Sequence, residues 1–378
     1  MLDRIQLTNF KAFRQAEIPL RPLTLLTGLN SSGKSTVMQS LALIKQSSLA
    51  AMLGPGGGLL LNGSLIELGA GRDVLHADWV EDDEIDGEYI RVGVDVDGVP
   101  YRWTLAYEAT TDKLDMLSAD ISGAAEHSLL SAQPGGFQYL RADRVSPAAI
   151  YERSHEVAIR QGFLGAHGEH TVNYLRHHQD DTDVTEPLQH PAARSATLLS
   201  QAEAWLGEIS PGVNLEAVGI DGTDHVRLSY GFGGTAGLSS SNRRRPTNVG
   251  FGLTYTLPIV VACLSARPGT LLLLENPEAH LHPRGQTQIA FLLARAVAAG
   301  AQVIVETHSD HILNGVRLAV KEQTHPISAD DVQLHYFRQT QPGGVEILSP
   351  VIASDGMLSD WPEGFFDEWD TTLDRLLD

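Results

Sequence analysis

Apolar and polar residues alternate along the stretch RIQLTNFKAF near the start of the chain, and this pattern predicts a β-strand. A second strand is predicted at PLTLLTGL, which runs into a glycine-rich turn. After that turn, Val37, Leu41 and Ile44 recur at helical spacing. The beginning of the chain therefore predicts a strand, a glycine-rich loop and a helix in succession.

The pattern changes twice in the middle of the chain. Residues 62–140 contain short alternating stretches and the turn pair Asp97-Gly98, which together predict a small antiparallel β-subdomain. Residues 146–210 are mainly helical in pattern, and SATLLSQAEAWLGEI is the clearest amphipathic segment. From residue 249 the chain returns to apolar segments: a helix, the strand TLLLLE, a helix, the strand AQVIVETH and a further helix.

Residues 28–35 match the phosphate-binding pattern G-x-x-x-x-G-K-[ST], and the predicted strand and helix on either side supply its required context. Glycines let successive backbone N–H groups turn toward phosphate oxygens, while Lys34 reaches the β- and γ-phosphates. Ser35 can hold Mg²⁺. The predicted nucleotide-contacting residues here are Asn30, Ser31, Ser32, Gly33, Lys34, Ser35 and Thr36.

The strand TLLLLE predicts an acidic partner for the metal. Four consecutive leucines are typical of a strand buried on both faces, and Glu275 emerges at its C-terminal end, where open α/β sheets bind ligands. Ser35 and Glu275 therefore form the predicted Mg²⁺ site. His308 follows the next apolar strand at the same edge, and we interpret it as a γ-phosphate sensor, the alternative being an ordinary strand-end residue.

The predicted fold class is α/β, with a P-loop NTPase core whose mostly parallel sheet is flanked by helices. An antiparallel β-subdomain and an inserted helical subdomain interrupt that core. The predicted divisions are a discontinuous core at 1–60 and 246–350, the β-subdomain at 61–145, a helical or mixed insertion at 146–245, and an acidic aromatic tail at 351–378.

Five segments, in this order, resemble the ABC-type ATPases of the SMC/RecF/OLD group. They are LTNFKAFRQ, GLNSSGKST, VGFGLTYTLPIV, LLLLENPEAHLHP and VIVETHSDHIL. The resemblance covers residues 1–75 and 246–370 well and the middle of the chain loosely. The chain is most similar to short bacterial proteins described as AAA family ATPases, whose tails read like WPEGFFDEWD and form a domain of unknown function.

In the resembled family, two subunits enclose ATP between the P-loop of one and a signature segment of the other. By position, the resemblance implies that residues 248–252 are the signature, with Gly250 and Gly252 close to the γ-phosphate. It also implies a D-loop at 279–282, and Gln138 is the candidate for the Q-loop glutamine. The implied cofactors are ATP and Mg²⁺, and the implied partner is a second copy of the chain, in a homodimer or a higher oligomer.

Two departures from the family's pattern bear on turnover. The signature lacks the usual serine, and Asn276 stands where the family has a glutamate directly after the metal-binding acid. Asparagine can orient a water molecule but cannot accept its proton at neutral pH. The predicted catalytic residues are Glu275, Asn276, Glu278 and His308, with Glu278 or His308 as base or water positioner. Slow hydrolysis is expected.

The formal net charge of −20 would argue against a nucleic-acid partner if it were spread evenly. Most of it lies in two segments: residues 78–126 carry 14 acidic and 3 basic side chains, and residues 355–378 carry 8 and 1. We interpret both as solvated surface, the alternative being a docking face for a basic partner. The run Arg243-Arg244-Arg245 is either a solvated loop or a contact to DNA or to phosphate in the dimer, so DNA is a candidate partner.

Other features limit the function classes. The lone Cys263 lies in an apolar run that predicts a buried, inert thiol, and six histidines between 155 and 190 lack the spacing of a zinc site. Arg141 and Arg144 are interpreted as structural ion-pair partners, the alternative being residues of the nucleotide cleft. No signal-peptide core or run of about 18 apolar residues is present, so the expectation is a cytoplasmic protein without a membrane partner.

The leading prediction is an ATP-driven switch that regulates a DNA-acting effector, such as a nuclease or toxin, in anti-phage defence or genome maintenance. A nucleotide-binding scaffold with little turnover is the alternative, and a transporter ATPase subunit is third. We expect the chain to have no nuclease activity, because OLD-type nucleases carry a separate nuclease domain after the ATPase and only about 70 residues follow His308.

Overall fold

The computed structural model describes residues 1–121, 127–233, 243–322, 327–340 and 344–377. The strands are β1 (Leu2–Phe10), β2 (Phe13–Pro19), β3 (Leu23–Gly28), β4 (Gly58–Leu60), β5 (Tyr89–Val96), β6 (Val99–Ala106), β7 (Lys113–Ile121), β8 (Phe137–Leu140), β9 (Tyr151–Glu152), β10 (Val213–Gly219), β11 (His225–Phe232), β12 (Leu271–Glu275), β13 (Gln302–Glu306), β14 (Val332–Thr340) and β15 (Gly344–Leu348). The α-helices are α1 (Lys34–Leu49), α2 (Thr171–His178), α3 (Leu198–Ile209), α4 (Phe251–Leu264), α5 (Pro283–Ala298), α6 (Asp310–Glu322) and α7 (Glu368–Leu377).

A six-stranded sheet in the order β15-β14-β3-β13-β12-β8 forms the centre of the molecule. All of its pairings are parallel except that of β14 with the edge strand β15. Successive residues of a strand point to opposite faces, so the leucines of β12 divide between two cores. Leu271 and Leu273 pack in the same core as α1, whereas Leu272 and Leu274 pack with α4, α5 and α6. The predicted leucine-rich strand is therefore confirmed as buried on both faces.

The second sheet is antiparallel and has the order β2-β1-β5-β6-β7-β4. Its β5–β6 hairpin turns at Asp97 and Gly98, which have φ values of 49° and 76°. Two successive positive φ values are those of the hairpin turn that an Asp-Gly pair favours, so this predicted hairpin is confirmed.

The boundaries of the antiparallel unit differ from the predicted ones. Strands β1 and β2, expected within the core at 1–60, belong to the antiparallel sheet because β1 pairs with β5 across more than 80 residues of sequence. Strand β8, expected within 61–145 as part of the β-subdomain, instead pairs with β12 at the edge of the parallel sheet. Alternation along one strand predicts which face is buried but not which strand lies beside it.

The predicted insertion contains both helix and strand. Helices α2 and α3 accompany a three-stranded sheet in the order β10-β11-β9, and the amphipathic segment identified from the sequence forms α3. Helix α3 buries Trp205 and Leu206 in the core shared with α4 and α5. The insertion is therefore packed continuously with the parallel sheet.

The first part of the predicted acidic tail is packed on the core. Phe365 is 1% exposed, and its ring lies 5.2 Å from the rings of Tyr336 and Trp361. Arg317 of α6 lies over Trp361 and donates to the Gly356 carbonyl at 2.8 Å. The predicted division at residue 351 does not separate this segment from the core, because Phe365 occupies a core position. Among the described residues, no helix is both long and apolar enough to cross a membrane.

Candidate functional site

The P-loop lies between the end of β3 and the start of α1 and is shaped by two glycines with positive φ. Gly28 has φ 133°, and a Cβ there would lie 2.3 Å from the Phe337 carbonyl oxygen. Gly33 has φ 103° and precedes the first helical residue, Lys34. Glycine is therefore required at both positions, by close packing at the first and by backbone conformation at both. The loop's predicted contact residues, 30–36, all line one cleft of about 980 Å³.

The ammonium group of Lys34 is buried within the loop. Its Nζ donates to the carbonyl oxygens of Gly28 at 3.0 Å and Leu29 at 2.7 Å. The side chain is 2% exposed, and burial lowers its pKa, an effect that the nearby Glu306 carboxylate opposes. The lysine is thus held by the loop that it would serve in binding phosphate.

Glu306, at the end of β13, is a residue of the site that the sequence analysis missed. The Ser35 hydroxyl donates to the Glu306 carboxylate at 2.9 Å and 3.1 Å, and Lys34 Nζ lies 3.9 Å from the same group. Burial raises the pKa of Glu306 to about 7, and the negative charge of Glu275 adds to that rise. The sequence contained a pattern that could have identified Glu306. The apolar strand QVIVE ends in this acid, just as TLLLLE ends in Glu275, and the two strands end at the same edge of the sheet.

Glu275 lies at the predicted edge but has other partners. Its carboxylate accepts hydrogen bonds from the Tyr139 hydroxyl and, at 3.0 Å, from the Ala142 backbone N–H. Glu275 and Glu306 are aligned with each other in the β12–β13 register. The Ser35 hydroxyl and these two carboxylates supply the oxygen donors that Mg²⁺ prefers, so the residues present fit this metal.

Arg144 fixes the end of β12 from the segment that follows β8. Its guanidinium donates to the backbone carbonyls of Glu275 at 2.7 Å and Asn276 at 2.8 Å, and lies over the Tyr255 ring. Burial lowers the pKa of Arg144 to about 10. Arg141 forms an ion pair with Asp143 at 3.1 Å. A structural role for both arginines is therefore supported, although the Arg144 contacts are to carbonyls rather than to a carboxylate.

The other predicted catalytic residues meet beside the P-loop. Asn276 has φ 43°, and its N–H donates to the Glu306 carbonyl at 2.8 Å. The Glu278 carboxylate accepts from the His308 N–H at 2.8 Å, and burial raises its pKa. Burial lowers the pKa of His308, and the nearby positive charge of Lys34 lowers it further. The structure thus brings Glu278 and His308 to the edge that holds Glu275, Asn276 and the P-loop.

The signature candidate, residues 248–252, lies at the start of α4 and does not line the P-loop cleft. Gly250 is exposed, and a Cβ added there would have no atom within 4 Å, whereas a Cβ at Gly252 would lie 2.7 Å from the His280 carbonyl oxygen. The segment borders a cavity of about 390 Å³ together with His280, Leu281 and His282 of the predicted D-loop. The residues that line this cavity are different from those that line the P-loop cleft.

Several candidates lie away from the site or contribute nothing there. Gln138 is buried, and its amide is bound to the Gly162 carbonyl at 2.6 Å and the Leu164 N–H at 3.1 Å, so it holds a loop rather than lining the cleft. Burial raises the pKa of Cys263 to about 12, which agrees with an inert thiol. Within the described ranges, no group of three or more His, Cys, Asp and Glu side chains is arranged to hold a metal ion.

Comparison with known families finds three matching models. Residues 1–90 match an AAA ATPase domain, and residues 176–314 match an AAA domain described as a putative AbiEii toxin of a type IV toxin–antitoxin system. Residues 327–376 match a protein family of unknown function, DUF3696. The predicted similarity of the tail to a domain of unknown function is therefore confirmed.

Similar whole proteins include an OLD nuclease of Thermus scotoductus, 22% identical over 369 residues. That alignment covers 92% of this chain and 66% of the relative, so the chain spans less than two thirds of that protein. Among solved structures, an Smc head bound to the C-terminal winged-helix domain of ScpA is 15% identical with a TM-score of 0.54, covering 93% of this chain and 98% of the other. A Pyrococcus furiosus Smc head bound to the C-terminal domain of ScpA is 13% identical with a TM-score of 0.53, covering 100% and 99%.

The chain therefore has a P-loop ATPase fold like that of the SMC head domain. The sequence matches, to AAA ATPase domains and to an OLD nuclease, agree with the ATPase group that the five motif segments resemble.

Proposed function

We propose that this protein is an ATP-dependent switch in which two copies enclose ATP and thereby regulate an effector. One observation carries the proposal: the P-loop cleft and the cavity beside the exposed signature candidate share no lining residue, so one chain does not bring the two segments together in one cavity. Neither surrounds a γ-phosphate, whereas the P-loop of one copy and the signature of another would do so together. Helix N-terminal amides at α4 and glycine at residue 250 suit close approach to phosphate.

The proposal assigns a role to each predicted site residue. Residues 30–36 bind the phosphates, Lys34 pairs with the β- and γ-phosphates, and Ser35 and Glu275 hold Mg²⁺. Glu278 or His308 positions the attacking water, and the Asn276 side chain orients it without taking its proton. Gly250 and Gly252 contact the γ-phosphate from the second copy.

Replacing Gly250 with aspartate should abolish ATP-dependent dimerisation and leave nucleotide binding intact. An aspartate fits the free chain because Gly250 is exposed with φ −56°, but in the dimer its carboxylate would face phosphate, and such like-charge contacts cost several kcal/mol. Light scattering with and without MgATP measures the change in mass, and nucleotide titration measures binding.

Gly250→Ala is the matched control, because it adds a side chain without charge. It should still dimerise with ATP. A wild-type mass that is the same with and without ATP would replace the proposed switch with a constitutive assembly or a monomer.

The effector is proposed to be a basic protein, such as a nuclease or toxin, that binds the acidic C-terminal end. Helix α7 exposes Leu376 and Leu377, each at 77%, and Arg375 is the one basic residue between 355 and 378. Exposed apolar residues within an acidic surface suit a partner steered by charge. DNA is the alternative partner, contacted through the exposed Arg243-Arg244-Arg245 run.

Removing residues 368–378 should abolish partner capture and leave ATP binding unchanged. The cut falls after Asp367, whose carboxylate accepts from the Gly364 N–H, so buried Phe365 stays in place. Deletion from residue 357 would remove that core residue. Co-purification and ATP titration are the measurements, with Leu376→Ser/Leu377→Ser as a full-length control for loss of the apolar face. DNA cleavage by the purified chain alone would contradict the effector proposal.

A scaffold that binds nucleotide with little turnover is the second candidate, and Asn276 favours it. ATP turnover with and without duplex DNA separates the two. A rate that stays near the uncatalysed level while ATP still drives dimerisation would support the scaffold.

A further inference from the structure

The acid in contact with the P-loop serine is Glu306. The Ser35 hydroxyl donates to both Glu306 oxygens, whereas the Glu275 carboxylate is held by Tyr139 and Ala142 on the β8 side. Both acids end neighbouring parallel strands in aligned register, so they reach the same edge of the sheet. Glu306 therefore stands between the P-loop and Glu275, nearest the position that the metal needs.

The side chain of Gln39 offers this cleft a second oxygen atom that could face a metal ion. Gln39 lies four residues after Ser35 on α1, which places both side chains on one face of the helix, and both line the P-loop cleft. The Oε1 atom of Gln39 is buried and has no hydrogen-bond partner among the described residues. Buried acceptors are normally paired, so an unpartnered one beside a ligand cleft calls for an explanation.

We propose that Glu306, with Gln39, is a positioning residue for Mg²⁺ at this site, holding the metal and its water shell against Ser35. The inference rests on the proposed nucleotide function and deepens it. Mg²⁺ keeps several of its waters and takes oxygen ligands from few protein groups, so a carboxylate and an amide oxygen flanking Ser35 are suitable partners. Glu306 takes on this role in addition to Glu275. Gln39 lines the cleft and supplies a glutamine oxygen there, whereas the Q-loop candidate Gln138 is bonded to a loop elsewhere.

Two opposite effects are expected from Glu306→Gln. The amide still accepts from the Ser35 hydroxyl, so the local hydrogen bond is kept while the charge is lost. Nucleotide binding should need roughly 10- to 100-fold more Mg²⁺, the usual cost of removing a residue that orients a bound metal. Without metal, nucleotide affinity should be unchanged or stronger, because a negative charge near the phosphates is gone.

The experiment titrates a non-hydrolysable ATP analogue at fixed Mg²⁺ concentrations and without metal, using full-length wild type, Glu306→Gln, Glu306→Asp and Gln39→Leu. Mn²⁺ binding followed by its electron paramagnetic resonance signal gives a readout independent of turnover. Glu306→Asp should recover part of the Mg²⁺ response, and Gln39→Leu should shift it in the direction of Glu306→Gln by a smaller factor.

A Glu306→Gln protein with the wild-type Mg²⁺ requirement would overturn this inference while leaving the nucleotide function standing. An equal loss of affinity with and without metal would also overturn it, since that pattern indicates disrupted structure. Wild-type protein that binds no nucleotide under either condition would instead refute the proposed function. Circular dichroism of each variant confirms folding, which substitution of a buried carboxylate by a neutral amide should not impair.

Discussion

Asn276→Glu should accelerate ATP hydrolysis, by up to the 10²- to 10⁴-fold typical of a general base. The substitution puts a carboxylate directly after Glu275, at the C-terminal edge of the parallel sheet where the P-loop, Glu278 and His308 meet. The wild-type asparagine has no group that takes a proton from water. Steady-state phosphate release at saturating MgATP measures the gain.

The backbone at this position makes a matched control necessary. Asn276 has φ 43°, a conformation that asparagine adopts more readily than glutamate, and its carbonyl and N–H are both bonded. Asn276→Gln has the same backbone penalty and side-chain length as Asn276→Glu but no basic group. The ratio of the Asn276→Glu rate to the Asn276→Gln rate isolates the contribution of the carboxylate to hydrolysis. A ratio near one would show that general-base chemistry does not limit turnover.

Lys34→Met should weaken nucleotide binding by roughly 10- to 100-fold. The substitution keeps the buried apolar stem and removes the ammonium, whose charge-assisted hydrogen bonds to phosphate contribute about 1.5–3 kcal/mol each. Calorimetric titration with ATP and with ADP measures the loss. ATP should lose more than ADP, because Lys34 is expected to reach the γ-phosphate as well.

Lys45→Met is the control on the same helix. Lys45 is also buried, but its ammonium donates to the carbonyls of Ser128 and Ser131, both at 2.6 Å, and it does not line the P-loop cleft. Its replacement should lower the free energy of unfolding and leave nucleotide affinity unchanged. Equal loss of affinity in both variants would indicate damage to α1 rather than loss of a phosphate contact.

The sequence alone determined the local elements and predicted part of the candidate site. Four leucines ending in Glu275, the alternating strands, the Asp97-Gly98 hairpin and the P-loop between strand and helix were all readable. These features depend on residue spacing and on backbone preferences that act over a few neighbouring residues. Spacing also predicted that Lys34, Ser35 and His308 belong to one site, because ends of parallel strands share an edge.

Tertiary structure decided which elements and which side chains lie together. Pairing of β1 with β5, and of β8 with β12, joins segments far apart in sequence, so the predicted subdomain boundaries differ from those of the structure. Phe365 packs against Tyr336, so part of the predicted acidic tail belongs to the core. The partners of a side chain depend on such distant pairings, and local patterns do not encode them.

The acids at the sheet edge show the same division most clearly. The sequence placed Glu275 at the end of its strand, and Glu306 ends the next one in the same way. Only the three-dimensional arrangement shows that the Ser35 hydroxyl donates to Glu306, whereas Tyr139 and Ala142 donate to Glu275. It also buries Glu306, and this burial raises the pKa of Glu306 to about 7. Hydrogen bonding and desolvation are set by everything that surrounds a group, and those surroundings come from the whole fold.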